Sequence, residues 1–277
     1  MSARLTVRFD ALKREGRSAL VAYVMASDPD HETCVEILRG LPAAGADLIE
    51  LGFPFSDPMA DGPSVQKAGQ RALKAGGSLK QTLELARGFR AHDADTPLIL
   101  MGYANPIEQM GYEAFAQGMR DAGADGAIVV DLPPEEDAPL RAAFAKHDLA
   151  VIRLATPTTD DNRLTKVLEG ASGFVYYVSV AGVTGANAAN TGAVRTAVER
   201  LKRGTDLPIV AGFGVREPEA ARAIAQTADG VAIGSAFVNE IAAGSPHEAV
   251  ERVLRKVRLL SEAVRLARTT RDEGKRA

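Results

Sequence analysis

The chain of 277 residues is 46% hydrophobic and 25% charged, with a net charge of −3, which is the composition of an ordinary soluble globular protein. Nothing in this balance favours binding to nucleic acid or to an anionic membrane. A single cysteine excludes an internal disulfide or a thiolate metal site, and the longest apolar run, 19–26, is too short to span a bilayer. The mixed charges that precede this run do not resemble a secretory signal, so we expect a cytoplasmic protein.

Short segments rich in Val, Ile and Leu recur along the chain and alternate with stretches of helical period. An amphipathic stretch at 2–15 comes first and predicts a helix that closes the bottom of a barrel. The eight predicted strands are 20–27, 47–53, 97–103, 126–132, 150–156, 173–180, 208–214 and 230–235. The predicted helices between and after them include 31–41, 64–74, 135–147, 191–203, 217–226, 236–242 and 248–268.

Alternation of strand and helix implies parallel strands that are covered by helices. Eight such units in about 250 residues match a closed (β/α)8 TIM barrel, here with an extra N-terminal helix and additional helices. An open doubly wound sheet is less favoured, because residues 27–30 stand where a Gly-x-Gly-x-x-Gly turn would follow the first strand. No linker divides the chain, so we expect one barrel domain over residues 1–277.

Three of the joins that precede a predicted strand resemble one another. They read Ala44-Gly45-Ala46-Asp47, Ala122-Gly123-Ala124-Asp125-Gly126 and Ala228-Asp229-Gly230. Glycine supplies the left-handed conformation that ends a helix, and small residues let the chain turn tightly into a strand. This repetition supports a fold that is built from one repeated unit.

Residues 48–62 carry the strongest indication of chemistry. Glu50 lies within an apolar strand, where a carboxylate is costly to desolvate unless it is paired or used. Asp61 follows in the next loop, on the barrel face where active sites lie, so the two acids could act on opposite ends of one small substrate. For Glu50, catalysis is favoured over a buried ion pair; Asp61 taken alone is better explained as a cap of the helix that Pro63 begins.

Other candidates have two interpretations each. Asp131 closes the fourth predicted strand and is either a second barrel carboxylate or an ordinary loop entry. Tyr176 and Tyr177 lie in the sixth strand, so one faces the barrel interior and the other the helices, and core filling explains both. Histidines lie in predicted helices or at helix ends, and no lysine lies in a strand. We therefore expect carboxylates to transfer the protons, without a metal or a Schiff base.

Glycines cluster after the last three predicted strands, which is typical of a phosphate site in a barrel. They are Gly182, Gly185, Gly212, Gly214 and Gly234. Gly234 and Ser235 open a short helix whose free N–H groups would face the phosphate, and the Ser235 hydroxyl can donate as well. The loop 182–190 is small and polar, which favours a mobile lid with glycine hinges.

The chain resembles the tryptophan synthase alpha chain family. The resemblance rests on the signature at 48–63, Leu-Ile-Glu-Leu-Gly-Phe-Pro-Phe-Ser-Asp-Pro-Met-Ala-Asp-Gly-Pro, which is highly specific. Further matching motifs lie at 101–106, 130–133, 179–185, 212–215 and 234–235, in the same order over about residues 5–265. It implies a lyase of tryptophan biosynthesis that cleaves indole-3-glycerol phosphate to indole and glyceraldehyde 3-phosphate. It also implies a beta subunit that carries pyridoxal phosphate, joined in an alpha2-beta2 tetramer, and no cofactor in this chain.

The resemblance also implies roles for single residues. Glu50 would be the acid and base of catalysis, and Asp61 would lie near the indole nitrogen. The other implied contacts are Tyr176 and Phe213 with the indole ring, Thr184 with Asp61 on lid closure, and Gly185, Gly214, Gly234 and Ser235 with the phosphate. Val180 departs from relatives that carry Arg at this position, which puts any Arg-dependent step of lid closure in doubt.

These roles agree with the chemistry of a retro-aldol cleavage. A proton on indole C3 turns the ring into an electron sink, so neither lysine nor metal is needed. We expect burial to raise the pKa of Glu50, whereas Asp61, nearer the surface, stays ionised. The rival functions are another phosphate-binding barrel isomerase or lyase, and a non-catalytic barrel that regulates a partner. Phe213 and Tyr176 argue against the first, and retention of both Glu50 and Asp61 argues against the second.

Overall fold

A computed structural model describes residues 2–178, 188–212 and 214–268. Within these ranges the strands are β1 Ala19–Met25, β2 Leu48–Gly52, β3 Leu98–Gly102, β4 Gly126–Val129, β5 Ala150–Val151, β6 Arg153–Ala155, β7 Val175–Val178, β8 Ile209–Gly212 and β9 Gly230–Ile233. The helices are α1 Ala3–Arg14, α2 His31–Ala44, α3 Pro63–Lys74, α4 Leu79–Arg90, α5 Ala104–Met110, α6 Tyr112–Ala122, α7 Ala138–Ala145, α8 Asp161–Leu168, α9 Ala188–Gly204, α10 Pro218–Ala225, α11 Ser235–Ala242 and α12 Pro246–Arg265.

All the strands are parallel, in the order β5-β4-β3-β2-β1-β9-β8-β7-β6. The strands at the two ends of this order, β5 and β6, are consecutive in the chain and are separated by Ile152 alone. Ile152 itself donates its N–H to the Ala127 carbonyl at 3.0 Å, which continues the pairing with β4. The fifth predicted strand is therefore present as two short pieces that pair with opposite neighbours and close the sheet. The prediction of a TIM barrel with extra helices is confirmed.

Alternation along the strands separates the barrel interior from the face that the helices cover. The interior is filled by apolar side chains such as Leu48, Ile99 and Val210. Helix α1 adds side chains to this same cluster from below, and the Phe9 ring lies 5.9 Å from that of Phe174. The N-terminal helix thus closes the bottom of the barrel, as its amphipathic pattern predicts.

Aspartates at the lower rim tie neighbouring strands together. Each one precedes a strand, donates its backbone N–H to a carbonyl of the strand before it, and accepts the N–H of that same residue on its carboxylate. These pairs are Asp47 with Leu20, Asp125 with Leu98 and Asp229 with Ile209, with every bond at 2.8–2.9 Å. Ser172 makes the same two bonds to Val151, both at 2.9 Å.

Each lower-rim aspartate is also paired with a cation. Arg17 binds Asp47 through two nitrogens, at 2.9 and 3.0 Å, and Lys202 lies 2.8 Å from Asp229. Asp125 receives Arg4 at 2.9 Å and Arg90 at 3.2 Å, and in addition the Ser2 hydroxyl at the start of α1. The repeated joins therefore act as clamps, which explains why an aspartate recurs in them.

Candidate active site

Glu50 is the one acid at the centre of the barrel interior among the described residues. It lies in β2 with Tyr23 of β1 and Ile99 of β3 as its register neighbours, and the residue is 1% exposed. No described residue forms a salt bridge with it, and its Oε1 is buried without a hydrogen-bond partner. Desolvation raises the pKa of Glu50 to about 8, so the carboxyl is largely protonated at neutral pH. The alternative of a buried ion pair is therefore wrong.

Asp61 lies in the loop between β2 and α3, above the carboxyl end of the barrel. Gly62 occupies the N-cap position of α3 and the helix has no side-chain cap, so the interpretation of Asp61 as a cap is wrong. The loop is held by the Gln66 amide, which donates to the Asp61 carbonyl at 2.9 Å, and by the Tyr103 hydroxyl, which accepts from the Ala60 N–H at 3.0 Å.

Burial raises the pKa of Asp61 to about 6, against the opposing effect of a hydrogen bond with Tyr103. This pKa lies above that of an exposed aspartate, which the sequence did not predict. It nevertheless remains below the pKa of about 8 for Glu50. Near pH 7, the site therefore holds one protonated acid and one ionised carboxylate, as expected.

Tyrosines link the two acids. Tyr176 of β7 belongs to the interior cluster, and the charge of Glu50 contributes to raising its pKa. Besides burial, the charges of Asp61 and Glu50 both contribute to raising the pKa of Tyr23, whose hydroxyl lies over Gly52 at the carboxyl end of β2. Tyr177 points the other way, into the cluster under α8 and α9. The structure thus places Glu50 and Tyr176 in the barrel interior with Tyr23 beside Glu50, and the charge of Asp61 also acts on Tyr23.

The other end of the site is formed by the N-terminus of α11. Gly234 is its N-cap and Ser235 its first residue, and the Ser235 Oγ is buried without a hydrogen-bond partner. Free N–H groups and an unused hydroxyl at a helix N-terminus are the elements of an anion site. Gly214, after β8, is exposed and has a φ of +70°, a left-handed conformation that favours glycine.

Several predicted positions lie outside the described residues. These are Phe213, Thr184, Gly185 and Val180, together with most of the predicted lid. Among the other candidates, Asp131 is exposed and accepts the N–H of Ala104 at the start of α5 at 2.8 Å, which supports its interpretation as a loop entry. No described lysine lies in a strand, and the described residues contain no cluster of three potential metal ligands. No described helix is both long enough and apolar enough to cross a bilayer.

Sequence reasoning missed Tyr23 and Tyr103 as members of the site. Tyr103 stands directly after β3 and Tyr23 two residues before the end of β1, so both lie at the carboxyl ends of strands. That position is where barrel enzymes hold their active sites, and it is the signal that identifies polar candidates there.

The family model described as tryptophan synthase alpha chain matches residues 9–265. The chain is 56% identical over 272 residues to the tryptophan synthase alpha chain of Phenylobacterium zucineum, with 98% of each chain covered. The corresponding protein of a Caulobacter species is 55% identical, over 96% of this chain and 97% of that protein.

The protein belongs to the tryptophan synthase alpha chain family. Its structure also matches tryptophan synthase subunit alpha from Legionella pneumophila, with a TM-score of 0.87 and 39% identity over 95% of this chain and 98% of that one. A tryptophan synthase structure from Mycobacterium tuberculosis matches with a TM-score of 0.87 and 36% identity, over 96% of this chain and 100% of that one.

As a member of this family, the chain is a lyase that cleaves indole-3-glycerol phosphate in tryptophan biosynthesis, and its family works with a beta subunit. Family membership decides against both rival functions, the sugar-phosphate isomerase and the barrel without activity. It leaves open which side chains perform the reaction.

Proposed function

We propose that Glu50 and Asp61 perform the cleavage of indole-3-glycerol phosphate, with the phosphate group held at the N-terminus of α11. The observation that carries this assignment is the state of Glu50. It is a carboxyl group buried inside the barrel, with Oε1 unpartnered and a pKa of about 8. A buried polar atom without a partner costs free energy, and a substrate that binds beside it would remove that cost.

Glu50 is protonated before the reaction and donates its proton to indole C3. The ring then carries positive charge that extends to N1, where ionised Asp61 stabilises it. The carboxylate that Glu50 now bears accepts the proton of the hydroxyl on the carbon attached to C3. As that C–C bond breaks, its electron pair restores the aromatic indole and the hydroxyl carbon becomes the aldehyde. Glu50 ends the cycle protonated, so no net proton is consumed.

The phosphate fits the opposite end of the site. Ser235 Oγ and the first N–H groups of α11, which begins directly after Gly234, supply donors that no described residue uses. The space beside Gly214 is open, so its backbone could approach a phosphate oxygen. Tyr176 would contact the indole ring. Phe213, Thr184 and Gly185, outside the described residues, complete the proposed contacts with ring, lid and phosphate.

The proposed assembly is an alpha2-beta2 tetramer in the cytoplasm. Pyridoxal phosphate belongs to the beta subunit, and the alpha chain needs no cofactor because two carboxyl groups supply its acid and base chemistry. The loop before Asp61 supports a contact with the partner, since Met59 is 76% exposed at the rim of the site. Binding of the beta subunit to this loop would order Asp61 and raise the turnover of the alpha chain.

Asp61→Asn tests the assignment directly. The amide keeps the size of the side chain but removes the charge that stabilises the ring cation, so we expect kcat for indole release to fall at least ~100-fold. The melting temperature should change little, because Asp61 makes no cap of α3. Asp131→Asn is the matched control: it is an exposed aspartate of the same rim and should keep wild-type turnover. If folded Asp61→Asn keeps a near-normal kcat, Asp61 does not stabilise the ring cation. The cleavage of indole-3-glycerol phosphate by the wild-type protein would not be questioned by that result.

A further inference from the structure

The side chain of Tyr23 lies across the middle of the site. It belongs to β1, directly beside Glu50 in the register of the sheet, and it is 7% exposed. Its ring packs on Gly234, where an added β-carbon would come within 3.0 Å of Tyr23 Cδ1. Its hydroxyl occupies the space above Gly52, and any β-carbon there would overlap it. The Tyr23 side chain therefore fits between Gly234 and Gly52, where the absence of side chains leaves space for it.

The Tyr23 hydroxyl has little to bind within the described protein. Its one hydrogen bond runs to the Sδ of Met25 at 4.0 Å, and a thioether is a weak acceptor. Burial and the charges of Asp61 and Glu50 raise its pKa well above the usual value, so the phenol keeps its proton. The result is a neutral, buried O–H donor that lacks a strong acceptor.

The position of this donor corresponds to one part of the substrate. Glu50 and Asp61 mark the end that takes the indole ring, and Gly234 and Ser235 mark the end that takes the phosphate. Tyr23 pairs with Glu50 in the sheet, its ring packs on Gly234 and its hydroxyl lies over Gly52, so its side chain lies between these two ends. Between the ring and the phosphate, the polar atoms of indole-3-glycerol phosphate are the two hydroxyl groups of the glycerol chain.

We propose that Tyr23 donates a hydrogen bond to a hydroxyl oxygen of the glycerol chain and makes the site selective for a hydroxylated chain over a plain alkyl chain. This inference rests on the proposed placement of ring and phosphate. A site that hydrogen-bonds a substrate hydroxyl discriminates strongly against analogues that lack it, because its own polar group is then left unpaired. Tyr23 would thus determine specificity, in addition to the two acids that transfer or stabilise charge.

The experiment compares two ligands in Tyr23→Phe. One is indole-3-glycerol phosphate, measured as kcat/KM for indole release. The other is 3-(indol-3-yl)propyl phosphate, which has ring and phosphate but neither glycerol hydroxyl, measured as an inhibition constant. We expect kcat/KM for the substrate to fall roughly tenfold, the loss of about one buried hydrogen bond. The inhibition constant for the alkyl analogue should not rise, since that ligand offers the phenol no partner and loses no hydrogen bond when the phenol is removed.

Tyr177→Phe is the matched control, because it removes a buried tyrosine hydroxyl from a strand residue that faces the helices. It should leave both ligands unaffected. If Tyr23→Phe weakens the binding of both ligands equally, the phenol only packs in the site or orients Asp61. If it changes the binding of neither ligand, the phenol makes no contact that matters for binding. Either result overturns the inference. The proposed function is tested separately, by cleavage in the wild-type protein and by the loss of activity in Asp61→Asn. The inference about Tyr23 can therefore fail while the proposed function holds.

Discussion

Buried acids at the lower end of the barrel have hydrogen-bond and ion-pair partners, whereas the buried acid nearer the upper end lacks them among the described residues. At the lower end, Asp47 and Asp125 are as buried as Glu50, yet each accepts a backbone N–H and at least one cation. Above them, in the barrel interior that opens toward the upper end, Glu50 has no ion-pair partner among the described residues and leaves Oε1 unbonded. The difference separates acids whose oxygens are used by the fold from an acid whose Oε1 no described residue binds.

These two arrangements have opposite effects on the stability of the folded chain. A paired buried carboxylate stabilises the folded chain, and removing it leaves cations and N–H groups without partners. An unpaired buried carboxyl destabilises the folded chain and is tolerated because its altered pKa is useful. Activity and stability should therefore respond to substitutions at opposite ends of the barrel.

Glu50→Gln should produce the largest effect on activity. The amide fills the same space but can neither donate a proton to C3 nor accept one from the hydroxyl, so kcat should fall by roughly 10³–10⁴-fold. Indole release from indole-3-glycerol phosphate measures this, with far-UV circular dichroism to confirm that the variant is folded. A folded variant whose kcat stays within tenfold of wild type would remove Glu50 from the mechanism.

Asp125→Ala should produce the largest effect on stability. It leaves Arg4, Arg90 and the Leu98 N–H without their shared acceptor, and breaking a buried ion pair costs about 3–5 kcal/mol in the free energy of unfolding. Urea unfolding measures the loss. Asp121→Ala, on the exposed surface of α6, is the control and should change stability by less than about 0.5 kcal/mol. Turnover of Asp125→Ala should stay near that of wild type at temperatures and urea concentrations where the variant is folded. If Asp125→Ala lowers the free energy of unfolding by less than about 1 kcal/mol, the ion pairs of Asp125 do not stabilise the fold as inferred.

The pH dependence of stability sharpens the same contrast. The pKa of Glu50 is about 8 in the folded chain against an ordinary value of 4.5, so the unfolded chain releases this proton first as the pH rises. The contribution of Glu50 to the free energy of unfolding therefore decreases as the pH rises from 4.5 to about 8, and it is constant at higher pH. Glu50→Gln removes this term, so the variant should gain stability relative to wild type from pH 5 to pH 8, by about 1.4 kcal/mol for each unit of pKa difference that is realised. Thermal unfolding of both proteins across this range measures it, and a difference that does not vary with pH would contradict a raised pKa.

Ser235→Ala should have the smallest effect. The hydroxyl has no partner in the described protein, so its removal should not lower the free energy of unfolding. It should raise KM for the substrate roughly tenfold with a smaller change in kcat, because one donor to the phosphate is lost. Binding of indole alone should not change. An unaltered KM would place the phosphate elsewhere.

The sequence predicted those features whose cause is local. Glu50 is conspicuous because it interrupts an apolar strand, and the lower-rim aspartates are conspicuous because their joins repeat. Asp61 had two interpretations, since Pro63 after Gly62 also fits a capped helix, and the observed N-cap at Gly62 excludes the capping interpretation. Alternation correctly placed one of Tyr176 and Tyr177 inside the barrel and the other outside.

The features that the sequence did not predict depend on residues far apart in the chain. The position of Tyr23 depends on the absence of side chains at Gly52 and Gly234, which no local pattern indicates. The division of the fifth strand is also a property of the closed sheet, because β5 and β6 pair with different neighbours. Just after that division, Arg153 turns toward the helices and binds Asp137 at the start of α7 and the Val167 carbonyl in α8.

Helix α1 gives the molecule a closed floor. Its apolar side chains meet the lowest layer of the barrel, and Asp125 fastens it there through Ser2 and Arg4. With the bottom covered in this way, the described part of the chain leaves the upper rim, where Met59 is exposed, as the side from which a ligand can reach Glu50. A closed floor therefore means that any protein bound over the upper rim would limit both substrate entry and product release.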